Sequence, residues 1–456
     1  MLAHLRTHVR SFAGHKGAGV AVIFALAALP ILTAVGCAID YSRASQLRSK
    51  LQAAIDCASV GSVAKTSPAY VAAGSMSSSG SIPAGVTDAL DIFNANMSGV
   101  TGYTLNEATA VVTLASGVVT STVAFSASVP TLFLGVIGVS TMTVTGSSVA
   151  TANMPLYVDF YLLLDNSPSM SVGATPTDVA TMVSATSASS FGSDQNCAFA
   201  CHDTAAGATD NFYALAKSLG VTMRIDVLRT ATQQLMTTAA QTETYSNQFR
   251  MAIYDFGSSA DTAAITTIFP LSSSLTSAQA AAANIDVMTV NGQGDQNDQD
   301  TDFDNLLTQM NDLISAPGAG TSAAPEKYLF FVSDGVADEN NAACLYTMTN
   351  ATLGNIAPRC QEPINTALCT TIKNRGIKIA VLYTTYLELP TNAWYNAWIA
   401  PFNVGPWGPS PNSQIALNMQ SCASPGLYFE VSPTQGISEA MSALFQKAVA
   451  DAHISN

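Results

Sequence analysis

An apolar strand that ends in a turn of carboxylate and hydroxyl side chains constrains this chain more than any other feature. Three leucines, residues 162–164, lead directly into Asp165-Asn166-Ser167-Pro168-Ser169. Open α/β sheets place their functional groups at the carboxyl ends of their strands, so this turn is a candidate site. Asp165, Ser167 and Ser169 offer only oxygen ligands, which suit Mg²⁺, Ca²⁺ or Mn²⁺ and not zinc. The turn therefore predicts a divalent-cation site.

From Leu156 onward, apolar strand patterns alternate with helical patterns, and this alternation predicts a mostly parallel sheet. Two stretches, 171–223 and 385–411, interrupt it and are predicted to be insertions. The predicted strands are Leu156–Leu164, Phe249–Phe256, Ile265–Phe269, Lys327–Val332, Ile377–Tyr383 and Leu427–Val431. The predicted helices are Arg224–Ala240, Thr276–Met288, Asp302–Ile314, Glu362–Lys373 and Ile437–Ala448.

Two later segments carry further oxygen ligands in the order of a known site. Thr301 begins a predicted helix in Asp300-Thr301-Asp302-Phe303, and Asp334 follows the apolar strand Phe330-Phe331-Val332-Ser333. With the first turn, they resemble the metal-ion-dependent adhesion site of von Willebrand factor A (VWA) domains, although Asp300 stands where that family usually has Gly. The resemblance implies an α/β fold with an open, mostly parallel VWA-type sheet flanked by helices. It also implies a divalent cation, Mg²⁺ before Ca²⁺ or Mn²⁺, held by Asp165, Ser167, Ser169, Thr301 and Asp334.

The amino-terminal region contains an uncharged stretch, residues 17–39, that is rich in Ala, Val, Leu and Ile. At about 1.5 Å per residue, a helix of this length spans a hydrocarbon core of about 30 Å. Arg6, Arg10 and Lys16 precede it and favour a cytoplasmic amino terminus. We predict a retained transmembrane helix. A cleaved signal peptide and a lipidated Cys37 are the alternatives.

The region between the membrane stretch and the alternating domain has helical and then strand character. The helical pattern continues to about residue 65, Val86–Met97 forms a second helical pattern, and three Val- and Thr-rich strands follow. The segments Ala38-Ile39-Asp40-Tyr41-Ser42 and Leu51-Gln52-Ala53-Ala54-Ile55-Asp56 resemble the amino terminus of TadE/TadG-type proteins of the Flp (tight adherence) pilus system. The predicted organisation is a cytoplasmic tail at 1–16, a transmembrane helix with its extension at 17–65, a small α+β region of a helix plus antiparallel strands at 66–153, and the VWA domain at 154–450.

Six of the eight cysteines lie in the predicted VWA domain, beyond the membrane stretch. An even number there suits an oxidising compartment and disulfides, while free buried thiols are the alternative. We predict a local Cys197–Cys201 bond, and also Cys369–Cys422 and Cys344–Cys360. Haem attachment at Cys197 and Cys201 is disfavoured, because it needs a Cys-x-x-Cys-His spacing and one extra residue intervenes before His202.

Charge and histidine content exclude two classes of function. The net charge of −14 argues against a nucleic-acid partner, because phosphate binding needs clustered Lys and Arg. Among five histidines, only His202 lies inside the predicted domain, and neither a nucleophile motif nor a phosphate-binding loop accompanies it. We therefore expect no enzyme activity.

The resemblance to TadG-like proteins implies a single-pass protein of the bacterial inner membrane, with its carboxyl-terminal domain in the periplasm or at the cell surface. Its function would be metal-dependent docking or adhesion in Flp pilus assembly. The partner would be another pilus-assembly protein, or an extracellular protein, that offers an Asp or Glu carboxylate to the ion. The alternatives are a structural scaffold without ion-dependent binding and a surface adhesin independent of pili.

Overall fold

The computed structural model describes residues 18–454, apart from residues 77, 116, 155, 189–194, 199–203, 205–210, 291–300, 341–343, 346–358, 405–412 and 433–435. The predicted tail at 1–16 lies outside the described residues. The chain divides into two compact units, residues 1–154 and residues 155–456.

The first unit begins with a single long helix, α1 (Ala18–Ser62). It joins the uncharged stretch to the predicted extension without a break, although Pro30 lies inside it. Among the described residues it is the one helix that is long and apolar enough to cross a membrane, with a mean hydropathy of 2.5 in its apolar window. Its first half exposes large apolar side chains such as Phe24 and Leu26, whereas Leu51 and Ile55 in its second half are buried.

Two shorter helices and an antiparallel sheet complete the first unit. The predicted helix and the three long predicted strands are confirmed. The strand Val118–Pro130 packs its side chains Val123, Phe125 and Val129 into a core with Leu51 of α1 and with Phe93. The elements are α2 (Pro68–Ala73), β1 (Gly80–Ser81), α3 (Pro83–Met97), β2 (Thr104–Ala115), β3 (Val118–Pro130) and β4 (Thr141–Asn153), and the strands lie in the order β1-β2-β3-β4.

The second unit is built on a six-stranded sheet of order β12-β11-β8-β5-β6-β7. Every neighbouring pair is parallel except β6 and β7, which are antiparallel at one edge. The predicted α/β fold class, with an open and mostly parallel sheet, is therefore confirmed. Its strands are β5 (Val158–Leu164), β6 (Phe249–Asp255), β7 (Thr266–Ser272), β8 (Glu326–Ser333), β11 (Lys378–Thr384) and β12 (Tyr428–Val431).

Both faces of this sheet are buried under helices. On β5, Phe160, Leu162 and Leu164 face one apolar core, while Tyr161 and Leu163 face the other. Burial on both faces explains why β5 reads as a continuous apolar run rather than an alternating one. The described helices are α4 (Pro176–Ala185), α5 (Phe212–Ser218), α6 (Arg224–Thr242), α7 (Leu275–Ala281), α8 (Phe303–Leu313), α9 (Ala367–Asn374), α10 (Ala400–Val404), α11 (Gln414–Cys422) and α12 (Ile437–Ile454).

The structure corrects two predicted helices. The predicted helix 276–288 ends at Ala281 and is followed by a short 3₁₀ turn, Ala282–Asn284. The predicted helix 362–373 begins only at Ala367, because Arg359–Pro363 forms strand β10, which pairs with β9 (Val336–Asn340). The residue before a proline disfavours helical backbone, so Glu362 before Pro363 belongs to the extended segment.

Candidate metal centre

The first turn and the Asp334 loop meet because their strands are neighbours. Asp165 follows the last residue of β5, and Asp334 follows the last residue of β8. The two strands are parallel, with Leu164 opposite Val332, so both ends lie at the same edge of the sheet. Ser169 lies in the 3₁₀ turn Pro168–Ser171, and Ser167 immediately precedes that turn.

Four of the five predicted ligand side chains are joined by direct contacts. The Ser167 hydroxyl donates to Asp165 Oδ1 at 2.6 Å, and Ser167 Oγ lies 3.0 Å from Ser169 Oγ. The Ser169 hydroxyl donates in turn to Asp334 Oδ2 at 2.6 Å. Asp165, Ser167 and Asp334 are buried. The four side chains thus form one continuous line of oxygens, which we call the oxygen chain.

Thr301, the fifth predicted ligand, lies in a loop tied to the same edge of the sheet. It is buried, and its backbone exchanges two hydrogen bonds with Asp338, with N–O distances of 2.9 and 3.1 Å. Asp338 lies four residues after Asp334, on β9. Thr301 has no hydrogen bond to the oxygen chain in the structure, so the ligand role of its hydroxyl stays a prediction.

A buried arginine contacts the oxygen chain. Arg224, the first residue of α6, has only 2% of its side chain exposed, and its Nη1 lies 3.3 Å from Asp334 Oδ2. Its Nη2 donates to the carbonyl and the hydroxyl of Thr384, both at 2.8 Å. The Arg224 guanidinium also lies 5.2 Å from the ring centre of Tyr386. The site therefore contains a fixed positive charge from the protein itself.

Charge and burial shift the titration of the site. Burial, and then the nearby negative charge of Asp334, raise the pKa of Asp165 to about 6. Burial and the same charge raise the pKa of Tyr386 well above its usual value. When both carboxylates are ionised, the two carboxylates and the Arg224 guanidinium carry a net charge of −1. The site therefore attracts a cation even though Arg224 is present.

Neighbouring polar groups fix the orientation of the first turn. The Ser333 hydroxyl donates to Asp165 Oδ2 at 2.6 Å, so both carboxylate oxygens of Asp165 are engaged. The Asn166 amide donates to Gly257 O at 2.8 Å and its carbonyl accepts from Phe256 N at 3.1 Å, which ties the turn to the end of β6. The oxygen chain is therefore held by three strand ends.

The donor set fits a hard divalent cation. Within the described residues there is no group of three or more His, Cys, Asp or Glu side chains that could hold a metal. The candidate ligands are two carboxylates and three hydroxyls, and oxygen-only sets of this kind suit Mg²⁺, Ca²⁺ or Mn²⁺. The buried negative charge of the carboxylates gives such an ion its electrostatic stabilisation.

Sequence reasoning did not place Arg224 and Ser333 at the site. For Arg224 a signal was available, because a cation at the first position of a helix opposes the helix dipole and a buried one needs an acidic partner. For Ser333 the signal was its position between an apolar strand and Asp334. Neither signal says which carboxylate is contacted, since that depends on how α6 and β8 pack against β5.

Two of the predicted disulfides are present in the second unit. Cys369–Cys422 joins α9 to α11, and Cys344–Cys360 joins β10 to the segment after β9. Cys197 is also disulfide-bonded, while Cys201, its predicted partner, lies outside the described residues.

Comparison with known proteins gives one family-model match and several similar solved structures. Residues 19–64 match the family model described as "Putative Flp pilus-assembly TadE/G-like". Curated protein sequences gave no significant match. Among solved structures, the chain is similar to the vWF domain of the type V pili tip protein Mfa5 from Porphyromonas gingivalis, with 10% identity and a TM-score of 0.33 over 65% of this chain and 97% of that chain.

Two further structures show similarity at the same level. One is the D319A mutant of the PilB minor pilin from Streptococcus sanguinis, with 11% identity and a TM-score of 0.34 over 79% of this chain and 91% of that chain. The other is proximal thread matrix protein 1 from the mussel byssus with a zinc-occupied MIDAS motif, with 10% identity and a TM-score of 0.32 over 64% of this chain and 48% of that chain. Residues 19–64 of the chain are thus similar to the TadE/TadG-like segment of Flp pilus-assembly proteins, and a domain with an open, mostly parallel sheet follows.

Proposed function

We propose that this chain is a membrane-anchored pilus-assembly protein whose VWA-type domain binds a divalent cation and uses it to dock a partner. The observation that carries the proposal is the oxygen chain, in which Asp165, Ser167, Ser169 and Asp334 lie in continuous contact at the carboxyl edge of the sheet. The TadE/TadG-like segment at 19–64 supports the connection to pili.

Different residues of the site would contact the ion in different ways. The Ser167 and Ser169 hydroxyls would contact it directly, and Asp165 and Asp334 would supply charge directly or through water. Thr301 would approach from the loop paired with Asp338. When bound, the ion would supply positive charge and a free coordination position for an Asp or Glu carboxylate of the partner. Mg²⁺, with about six ligands, leaves such a position beside five protein oxygens.

The location follows from α1. Its uncharged half would span the bacterial inner membrane once, with the VWA-type domain in the periplasm or at the cell surface. We propose no enzymatic activity, because the sequence of the second unit carries neither a nucleophile motif nor a phosphate-binding loop.

Calorimetric titration of the full chain in detergent micelles with Mg²⁺, Mn²⁺ and Ca²⁺ tests the ion site. We expect heat of binding in the wild type, and its loss in Asp165→Ala and Asp334→Ala. Asp261→Ala is the matched control, because Asp261 is exposed and its removal changes the net charge equally. No heat with any ion, or an equal loss in Asp261→Ala, would refute a specific site.

An experiment in cells distinguishes ion-dependent docking from the alternative of a scaffold that needs no ion. Cells carrying wild type, Asp334→Ala or no protein, with matched membrane levels, are compared for pilus display and surface attachment. Docking through the ion predicts failure in Asp334→Ala although the protein stays in the membrane. Attachment at the wild-type level in Asp334→Ala would favour a scaffold that needs no ion.

A further inference from the structure

The connection between β3 and β4, residues 131–140, exposes apolar side chains that a water-facing loop seldom carries. This segment, which we call the apolar loop, contains no charged residue. Contiguous exposed apolar surface of this kind marks a site that contacts a protein or a membrane. The exposed side chains are Leu132 at 63%, Phe133 at 45%, Val136 at 87%, Ile137 at 57% and Val139 at 42%.

Several backbone groups of the apolar loop hydrogen-bond within the loop itself. Val136 N donates to Phe133 O, and Val139 N donates to Leu134 O. Thr131 N donates to Ser140 O at the base of the loop. A loop in water can leave such groups to the solvent. In the hydrocarbon core of a membrane, each backbone N–H or C=O group without a hydrogen bond costs roughly several kcal/mol, so these groups must be paired within the protein there.

The remaining donors at the start of the loop are satisfied by one carboxylate of α1. Asp40 accepts hydrogen bonds from the backbone nitrogens of Leu132, Phe133 and Leu134, at 2.9, 2.8 and 2.8 Å. The Asp40 side chain has only 1% of its surface exposed. One buried side chain therefore fixes the loop to the helix and removes three backbone donors from solvent.

The apolar loop lies beside the end of the uncharged stretch of α1. Asp40 is the first charged residue after residues 17–39. One turn earlier, Gly36 touches Phe133 so closely that a Cβ on Gly36 would lie 2.5 Å from Phe133 Cβ. At ~1.5 Å per residue, Gly36 lies about 6 Å along the helix axis from Asp40, toward the uncharged end of α1, so the Phe133 side chain reaches the end of that stretch. The loop thus extends the exposed apolar surface of the helix.

We propose that the apolar loop inserts into the same bilayer as α1, so that the first unit has two membrane contacts instead of one. Leu132, Val136 and Ile137 would lie among the acyl chains, and Asp40 is the positioning residue that holds the loop in place. The inference rests on α1 spanning the membrane, as proposed above. A second contact would prevent the first unit from rotating or tilting freely about α1.

Depth-dependent quenching of a fluorophore tests the proposal on the full chain in phosphatidylcholine–phosphatidylglycerol vesicles. Among the described cysteines, Cys37 and Cys57 are the free thiols, so Cys37→Ala with Cys57→Ser gives a background for single labels. An environment-sensitive NBD label is placed at Val136→Cys in the loop. Leu26→Cys, exposed on the uncharged part of α1, reports whether that helix is in the bilayer.

The matched control is Val111→Cys, which replaces an exposed apolar residue of the same unit. Val111 lies opposite Thr122 of β3. Thr122 is eight residues before Pro130, the end of β3, so Val111 is roughly 26 Å from the apolar loop along the strand. We expect lipids brominated in their acyl chains to quench the labels at Leu26 and Val136 to a comparable extent. The label at Val111 should not be quenched.

The outcomes distinguish this inference from the anchor on which it rests. Quenching at Leu26 with none at Val136 would overturn the insertion of the loop and leave the anchor standing. Blue-shifted but unquenched emission at Val136 would mean that a protein surface, such as a second copy, covers the loop, which also overturns it. Absence of quenching at Leu26 would refute both the anchor and the insertion.

The role of Asp40 has its own readout. Adding Asp40→Ala to the Val136 label should reduce bromolipid quenching there, because three backbone donors lose their acceptor. Quenching at Leu26 should not change, and this shows that the protein is still inserted. Unchanged quenching at Val136 would overturn Asp40 as the positioning residue.

Discussion

Replacing Arg224 with methionine should make the stability of the second unit depend strongly on divalent cations. Methionine keeps much of the apolar length of the side chain but removes the charge that lies 3.3 Å from Asp334 Oδ2. Breaking a buried ion pair leaves an uncompensated charge and typically costs about 3–5 kcal/mol. In the presence of a chelator we therefore expect Arg224→Met to lower the free energy of unfolding by about that amount.

With a bound cation the same substitution should cost less. A ligand oxygen lies ~2–2.5 Å from its ion, so the guanidinium and the ion would be roughly 5–6 Å apart. At an effective permittivity of ~20, a single and a double positive charge at that separation repel by about 6 kcal/mol. Even partial relief of this repulsion should raise the affinity for Mg²⁺ at least about tenfold, which corresponds to ~1.4 kcal/mol.

Tryptophan fluorescence during thermal unfolding measures both effects in the full chain. All three tryptophans, Trp394, Trp398 and Trp407, lie in the second unit, so the signal reports that unit alone. The midpoint is compared between wild type and Arg224→Met, with chelator and with saturating Mg²⁺. The control is Arg229→Met, a partly exposed arginine on the same helix that pairs with Asp226 and Asp286.

We expect the difference in unfolding midpoint between wild type and Arg224→Met to become smaller when Mg²⁺ replaces the chelator. Arg229→Met should give a smaller gap that Mg²⁺ does not change. An equal gap for Arg224→Met under both conditions would refute the idea that Arg224 and the cation compensate the same carboxylates.

Three further variants test the second unit. Burial raises the pKa of Asp255 to about 7, above its unfolded value, so its contribution to stability is complete below about pH 4 and is lost as the pH rises toward 7. In thermal unfolding, the free energy of unfolding of Asp255→Asn relative to that of wild type should therefore rise between about pH 4 and pH 7, by up to about 4 kcal/mol. A difference between the two proteins that stays constant over this pH range would contradict the prediction. Cys369→Ala with Cys422→Ala opens a link between residues 53 positions apart and should cost about 2–4 kcal/mol in urea unfolding, whereas an unchanged midpoint would count against it. Gly335→Ala should cost about 1–3 kcal/mol, because Gly335 has φ +76° and a Cβ there would lie 2.6 Å from Met419 Cγ; a thermal midpoint equal to that of wild type would show that the backbone beside Asp334 tolerates a side chain.

The position of the oxygen chain could be predicted from sequence because it depends on strand ends alone. Parallel strands bring their carboxyl ends to one edge, so an apolar run ending at Asp165 and another ending just before Asp334 were sufficient. The contact from Arg224 was beyond that reasoning. It depends on the direction in which α6 crosses the sheet, and no periodicity in the sequence encodes that direction.

The hairpin of β9 and β10 was not predicted for a different reason. Its strands contain Asp338, Glu339, Gln361 and Glu362, which are buried although they are polar or charged. Strand patterns are recognised from alternating apolar residues, and these side chains provide none. Pairing between the strands and the Thr301–Asp338 backbone bridge hold this segment, together with Val336 and Ala337, which pack into an apolar core.

The charges of the site explain why an ion would control docking rather than only add stability. Without a cation, Asp165, Asp334 and Arg224 sum to −1, and this charge repels the carboxylate of a partner. A divalent cation changes the sum to +1 in a buried setting, where charge interactions are stronger than in water. Under the proposed function, the same partner carboxylate would then be attracted and would complete the coordination of the ion. Because Arg224 neutralises part of the charge permanently, one ion is sufficient to reverse the sign, so docking under the proposed function would follow the presence of the cation.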